Sequence, residues 1–217
     1  MREEIQDRLT KIADGSLIFV SNEGIASKLV EFYAKLEDWK LFLEKNTFIP
    51  NHIQFYVGTT SKGRNMCWSA EASGFKQVWL TDRFTKDTTI VVAQYMPLTV
   101  NQFELMKAFC WGASGKPYDF GGIANFGFRV FNWIPFVKRV FHNKVSEWDW
   151  ALFCSESAVN IYETAGIKVS DKKASDTTPA HILKYISREW YRNIEGGITI
   201  GSWNFWKLWD GSKKGER

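Results

Sequence analysis

Four short runs between residues 51 and 95 carry strand signals in close succession, and they constrain the fold more than any other feature of the chain. Residues 51–58 alternate in character, and 66–72, 75–80 and 88–95 read as three more strands. A fifth run, 16–20, follows Gly15, which breaks the helical spacing of Ile5, Leu9 and Ile12. Strands this closely spaced make an antiparallel sheet or partial barrel. Helical patterning occupies 25–42 and returns over 100–111, with Gly112 and Gly115 as the exit. The expected class is α+β, an antiparallel sheet or partial barrel packed against helices.

The chain has 217 residues, enough for one well-filled core, so one domain is expected. Hydrophobic residues make up 45% and charged residues 24%, which points to neither disorder nor a fibrous repeat. Aromatic residues reach 16%, with 11 Trp and 17 Phe, and gather after Gly121 and again around Trp203, Phe205, Trp206 and Trp209. Such a surplus fills an aromatic core or meets a ligand, membrane or partner. A formal charge of +4, with Lys and Arg interspersed among acids, argues against nucleic acid. No secretory signal and no bilayer-spanning run is visible. Cys67, Cys110 and Cys154 are odd in number and widely spaced, as suits free thiols in a reducing compartment, and a cytoplasmic location is expected. Metal-ligand spacing, a phosphate loop and a dinucleotide fingerprint are all missing from the sequence, so no cofactor is expected.

Cys154 stands where an apolar run turns into a helix. Ala158, Val159, Tyr162 and Ala165 recur at spacings of three and four, and Gly166 supplies the stop. Amide hydrogens at a helix start lack intrahelical partners and favour negative charge, which suits a thiolate nucleophile. The competing reading is a small buried hydrophobe, the role of most lone intracellular cysteines.

A thiol nucleophile needs a proton acceptor, and three histidines are available. His52, Gln54 and Tyr56 share one face of their strand, while Ile53, Phe55 and Val57 take the other. That leaves His52 open to a neighbouring helix. His142 follows a basic aromatic segment and reads as a solvated residue. His181 lies just after Pro179 at a helix start, where it caps or packs. A base also needs an orienting acceptor. Glu71 stands on the next strand in the set Cys67, Ser69, Glu71, which a hairpin would bring beside His52; otherwise it is an exposed strand carboxylate.

With these positions in view the chain resembles the circularly permuted papain-like cysteine hydrolases. That branch holds the bacterial YiiX-like hydrolases and the lecithin:retinol acyltransferase-like enzymes, and is related to the NlpC-type cell-wall peptidases. Residues 15–20 are similar to the family's opening strand and 51–58 to its "S-H-V-G-I-Y-V-G" histidine strand. Residues 69–78 resemble the "I-E-A-x-x-x-G-V" segment, 115–119 the "G-x-P-Y-D" motif, 153–156 the nucleophile motif and 176–180 the closing "S-P-x-D-L" turn. The match covers 15–185, leaving 121–149 as an aromatic insertion and 186–217 as a C-terminal extension. It departs from the pattern at Asn51 and Gln54, where the family has small residues, and in the length of that insertion.

The resemblance implies a papain-like, circularly permuted fold with Cys154 as nucleophile, His52 as base and Glu71 as its orienter. Tyr118 matches the motif tyrosine that approaches the cleft, which implies contact with substrate or oxyanion; its other reading is a core tyrosine. His181 falls where the family has an acid. The implied chemistry is acyl transfer through a thioester, with a peptide or amide as the expected substrate, cell-wall peptide included. The acyltransferase-like relatives imply a lipid acyl chain instead, with residues 126–141, from Phe126 to Phe141, in contact with a membrane surface. A third reading is a binding module on the same fold without turnover.

Overall fold

The computed structural model describes residues 2–23, 28, 30–32, 34, 35, 48–119, 152–187 and 198–211. Seven antiparallel strands form one open sheet in the order β4-β3-β2-β1-β5-β7-β6. These are β1 (Leu17–Ser21), β2 (His52–Thr59), β3 (Asn65–Glu71), β4 (Gly74–Trp79), β5 (Thr89–Tyr95), β6 (Ile198–Ile200) and β7 (Trp203–Asp210). The sheet does not close, so the barrel alternative falls away: β4 and β6 stand at its two edges.

β1 lies in the middle, paired to β2 and to β5, and its residues Leu17, Ile18, Phe19 and Val20 are all fully buried. An uninterrupted apolar run suits a strand covered on both faces, since each such side chain removed from water contributes about 1.5–3 kcal/mol. On one face Leu17, Phe19, Ile53, Phe55, Trp68, Ala70, Val91 and Phe205 pack against helices. The other face carries Ile18, Val20, Tyr56, Cys67, Ile90 and Val92, met by Leu9 and Ile12 from α1 (Arg2–Thr10) and the residues after it.

Three further helices pack with the sheet or brace its ends: α2 (Val100–Ala113), α3 (Cys154–Thr164) and α4 (Pro179–Ser187). Thr99 and Gln102 form a capping box at the start of α2, and Gln102 Nε2 donates to the Ala165 carbonyl at 3.1 Å, tying α2 to the end of α3. Gly112 lies inside α2, not at its exit; the chain turns at Gly115, with φ +82°. Gly166, at φ +71°, ends α3 as its position suggested. The Tyr162 hydroxyl donates to the Gly15 carbonyl and its ring meets Phe55 edge-on, so α3 is fastened to the sheet at its far end. Pro179 takes the first position of α4, where its missing N–H costs nothing.

The expected C-terminal extension supplies two strands of the sheet. β7 runs along β5 from Thr89↔Asp210 to Tyr95↔Trp203, and Phe205 and Leu208 are buried. Of the helix expected over 25–42, residues 28, 30–32, 34 and 35 are described and are helical. The aromatic insertion 121–149 lies outside the described residues. No helix among the described residues is long and apolar enough to cross a membrane.

Candidate active site

Cys154 is the first residue of α3, after Phe153 with extended backbone angles (φ −107°, ψ 169°). It is 4% exposed. Glu156 Oε2 accepts from the Phe153 N–H at 3.4 Å, as a third helical position does in a capping box. The Ser155 hydroxyl donates to the Thr177 carbonyl at 2.5 Å, which pins the first turn to the segment leading into α4. The helix start is therefore held on two sides, with the amides of its first turn directed at the thiol end.

A second fixture lies just upstream. Leu152 and Tyr118 form a parallel bridge: the Leu152 N–H donates to the Pro117 carbonyl at 3.0 Å and the Asp119 N–H to the Leu152 carbonyl at 3.1 Å. Residues 115 and 116 are themselves fastened to β4, with Gly115 N–H donating to Phe75 O at 2.9 Å and Phe75 N–H to Lys116 O at 2.7 Å. That contact demands glycine at 74, where φ is +107° and a Cβ would lie 2.8 Å from the Lys116 carbonyl oxygen. A hairpin turn in the sheet thus positions Tyr118 beside Cys154. Burial first, then the negative charges of Cys154, Glu71 and Asp119, push the Tyr118 hydroxyl above its ordinary pKa, so it remains a proton donor.

The hairpin of β2 and β3 supplies the remaining groups. Phe55 pairs with Trp68 and Tyr56 with Cys67. Extending that register sets Gln54 opposite Ser69 and His52 opposite Glu71. His52 Nε2 lies 2.8 Å from Ser69 Oγ and 3.4 Å from Glu71 Oε1, and Ser69 Oγ donates to Glu71 Oε1 at 2.6 Å. Burial alone would lower the His52 pKa, but the charge of Cys154, a hydrogen bond with it, and the hydrogen bond and charge of Glu71 outweigh burial and raise it to about 9. Burial likewise would raise Glu71, and is overcome by His52, Ser69 and Arg83, which bring it down to about 2.

Cys154, His52, Glu71 and Tyr118 are therefore brought together. Among the described residues Cys154 is the one cysteine of the three with a histidine partner. Burial pushes the thiols of Cys67 and Cys110 up, as expected for inert core cysteines. His181 instead pairs with Asp171, Nε2 to Oδ1 at 2.7 Å, and His142 lies outside the described residues.

Three participants were not foreseen. Ser69 sits between the ring and the carboxylate; its place two residues before Glu71 on one strand face was the available signal. Arg83 comes from the 3-10 turn Leu80–Arg83 and donates to Glu71 Oε1. Gln54, read as a departure from a family pattern, is 1% exposed, and its amide oxygen, in the orientation that satisfies both groups, accepts from Arg83 Nε at 2.9 Å and Nη2 at 3.1 Å. A half-buried carboxylate calls for a donor on its open side, but nothing in the sequence says which cation supplies it. No family model and no curated protein sequence matches the chain.

Proposed function

We propose that the protein is a thiol-dependent hydrolase of amide bonds, a peptidase or amidase, on a circularly permuted papain-like fold. The observation that carries this reading is the placement of His52, whose Nε2 faces Ser69 and Glu71 while its ring hydrogen-bonds the thiol at the start of α3. A base oriented from behind and aimed at a nucleophile is the arrangement covalent acyl transfer needs.

His52, its pKa raised to about 9, takes the proton of the Cys154 thiol and holds it, which leaves the sulfur as the nucleophile. The sulfur attacks the substrate carbonyl carbon, a C–S bond forms, and the carbonyl oxygen takes the negative charge. The Cys154 N–H and the Tyr118 hydroxyl donate to that oxygen; one such donor is worth about 2.7–4 kcal/mol in the transition state. Collapse of the intermediate breaks the C–N bond as His52 gives its proton to the departing amine. Water then attacks the thioester and passes a proton to His52, the C–S bond breaks, and the acid leaves.

A second reading, hydrolysis or transfer of a lipid acyl chain, is favoured by one observation. The Phe- and Trp-rich stretch between Asp119 and Leu152 leaves and re-enters the chain at the bridge beside Cys154. A sequence so rich in Phe and Trp suits contact with an apolar chain. Vesicle binding separates the two substrate classes.

The deciding experiment is the pH dependence of Cys154 alkylation by iodoacetamide, read by mass spectrometry in the native chain and in His52→Ala. Fast labelling well below the free-thiol pKa of about 8.5, lost in the variant, supports the hydrolase. Labelling as slow as that of Cys67 and Cys110 in both forms leaves a binding module on this fold.

A further inference from the structure

Glu71 Oε1 accepts from the Ser69 hydroxyl and from Arg83, and lies 3.4 Å from His52 Nε2. A glutamate side chain loses up to about 1.5–2 kcal/mol of rotamer freedom when held in one place, and a hydroxyl and a ring N–H alone leave the plane of the carboxylate free to turn. A guanidinium does not. It is planar and rigid, and here it is gripped from behind, where Gln54 accepts from both Nε and Nη2. Gln54 lies two residues from His52 on the same strand face, so Arg83 ties the strand of the base to the carboxylate that orients it.

We propose that Arg83 is a positioning residue: clamped by Gln54, it fixes the Glu71 carboxylate against Ser69 and His52, and its charge allows the Cys154–His52 pair to form beside a half-buried anion. This role rests on the hydrolase reading. A decorative surface ion pair would be worth little. Arg83 and Glu71 are only 23% and 22% exposed at their side chains, however, and the Gln54 behind them is buried, so the pair is shielded from solvent on its inner side. The Arg83 charge acts on Cys67 and Glu71 of β3; Glu71 in turn acts on His52 of β2 and on Tyr118 after α2, which also feel Cys154 on α3 and, for Tyr118, Asp119.

The test follows the pH at which iodoacetamide labelling of Cys154 falls off on the acid side. Removing a positive charge raises the pKa of every group that feels it. Arg83→Gln is therefore expected to move that limb to higher pH by about half a unit to one unit, which slows labelling on the limb itself about threefold to tenfold. Arg83→Lys keeps the charge and loses the fork, so the limb is expected to stay while labelling slows several-fold. Where Arg83→Gln does not fold, the double variant Glu71→Gln/Arg83→Gln leaves no lone charge and is compared with Glu71→Gln alone. Equal rates in those two mean that Arg83 acts through Glu71. The proposal is overturned by a folded Arg83→Gln, with native circular dichroism and melting, whose acid limb has not moved. It is equally overturned by a double variant slowed relative to Glu71→Gln. A native chain with no low-pH labelling at all, which His52→Ala leaves unchanged, brings down the hydrolase reading instead.

Discussion

Ser69 Oγ lies closer to His52 Nε2, at 2.8 Å, than the Glu71 carboxylate does, at 3.4 Å. The orienting acceptor of the ring is thus a hydroxyl that passes its own proton to Glu71 at 2.6 Å, and the carboxylate acts on His52 largely through it. Ser69→Ala is expected to slow Cys154 labelling about tenfold, the loss of one hydrogen bond to a charged group, while Glu71→Gln slows it more. Labelling kinetics of the two variants measure the order.

The largest contribution raising His52 comes from Cys154. Cys154→Ser replaces an ionisable thiol by a hydroxyl, and the His52 pKa is expected to fall from about 9. A nitrogen-detected NMR titration of the three histidines, with His52→Ala to assign the signal, reads this directly.

Stability should depend on pH through the same ring. A folded-state pKa raised from 6.5 to about 9 contributes stability that is complete below 6.5 and is lost as pH rises towards 9. Native chain and His52→Ala are therefore expected to converge in urea midpoint between those values. Glu71, lowered from 4.5 to about 2, acts in the opposite sense: its contribution is present above 4.5 and is lost as pH falls towards 2. Urea unfolding at intervals across both windows checks the two signs.

Gly74→Ala forces an L side chain into φ +107° and onto the Lys116 carbonyl. A loss of about 1–3 kcal/mol is expected in urea unfolding. Because residues 115–119 are hung on that turn, the variant should also lose hydrolysis of p-nitrophenyl acetate more than it loses iodoacetamide labelling.

Tyr118→Phe separates bond-making from oxyanion binding. Alkylation creates no oxyanion, so its rate should hardly change. Hydrolysis of p-nitrophenyl acetate should fall about tenfold to a hundredfold, as befits one lost donor.

Five strands and the helix of Cys154 were legible, that helix and β2 from their periods and β1 as an uninterrupted apolar run. β7 was not, and its residues explain why. Trp203 and Phe205 pack on the helix-covered face while Trp206, Leu208 and Trp209 pack on the other, so no polar face marks the alternation. A register shift between its pairs with Ile90 and Val91 then breaks what period remains. At the site, Cys154 shows at a helix start and His52 and Glu71 at matched positions of neighbouring strands, while Tyr118 is marked by the resemblance alone. Arg83 is marked by none of these. Its partners are twelve and twenty-nine residues away, and only the folding of β3 onto β4 and the turn beyond it delivers the guanidinium to both. Gln54 was visible only as a departure from the family's small residues, and its acceptor oxygen finds Arg83 only in the fold.

The bridge between Tyr118 and Leu152 fixes both ends of the stretch 120–151 at one point of the framework. Closing a long loop onto anchors already in place adds little entropy per further residue. A change of length or sequence between the two anchors therefore leaves the bridge where it is, and with it the register of Leu152, Phe153 and Cys154.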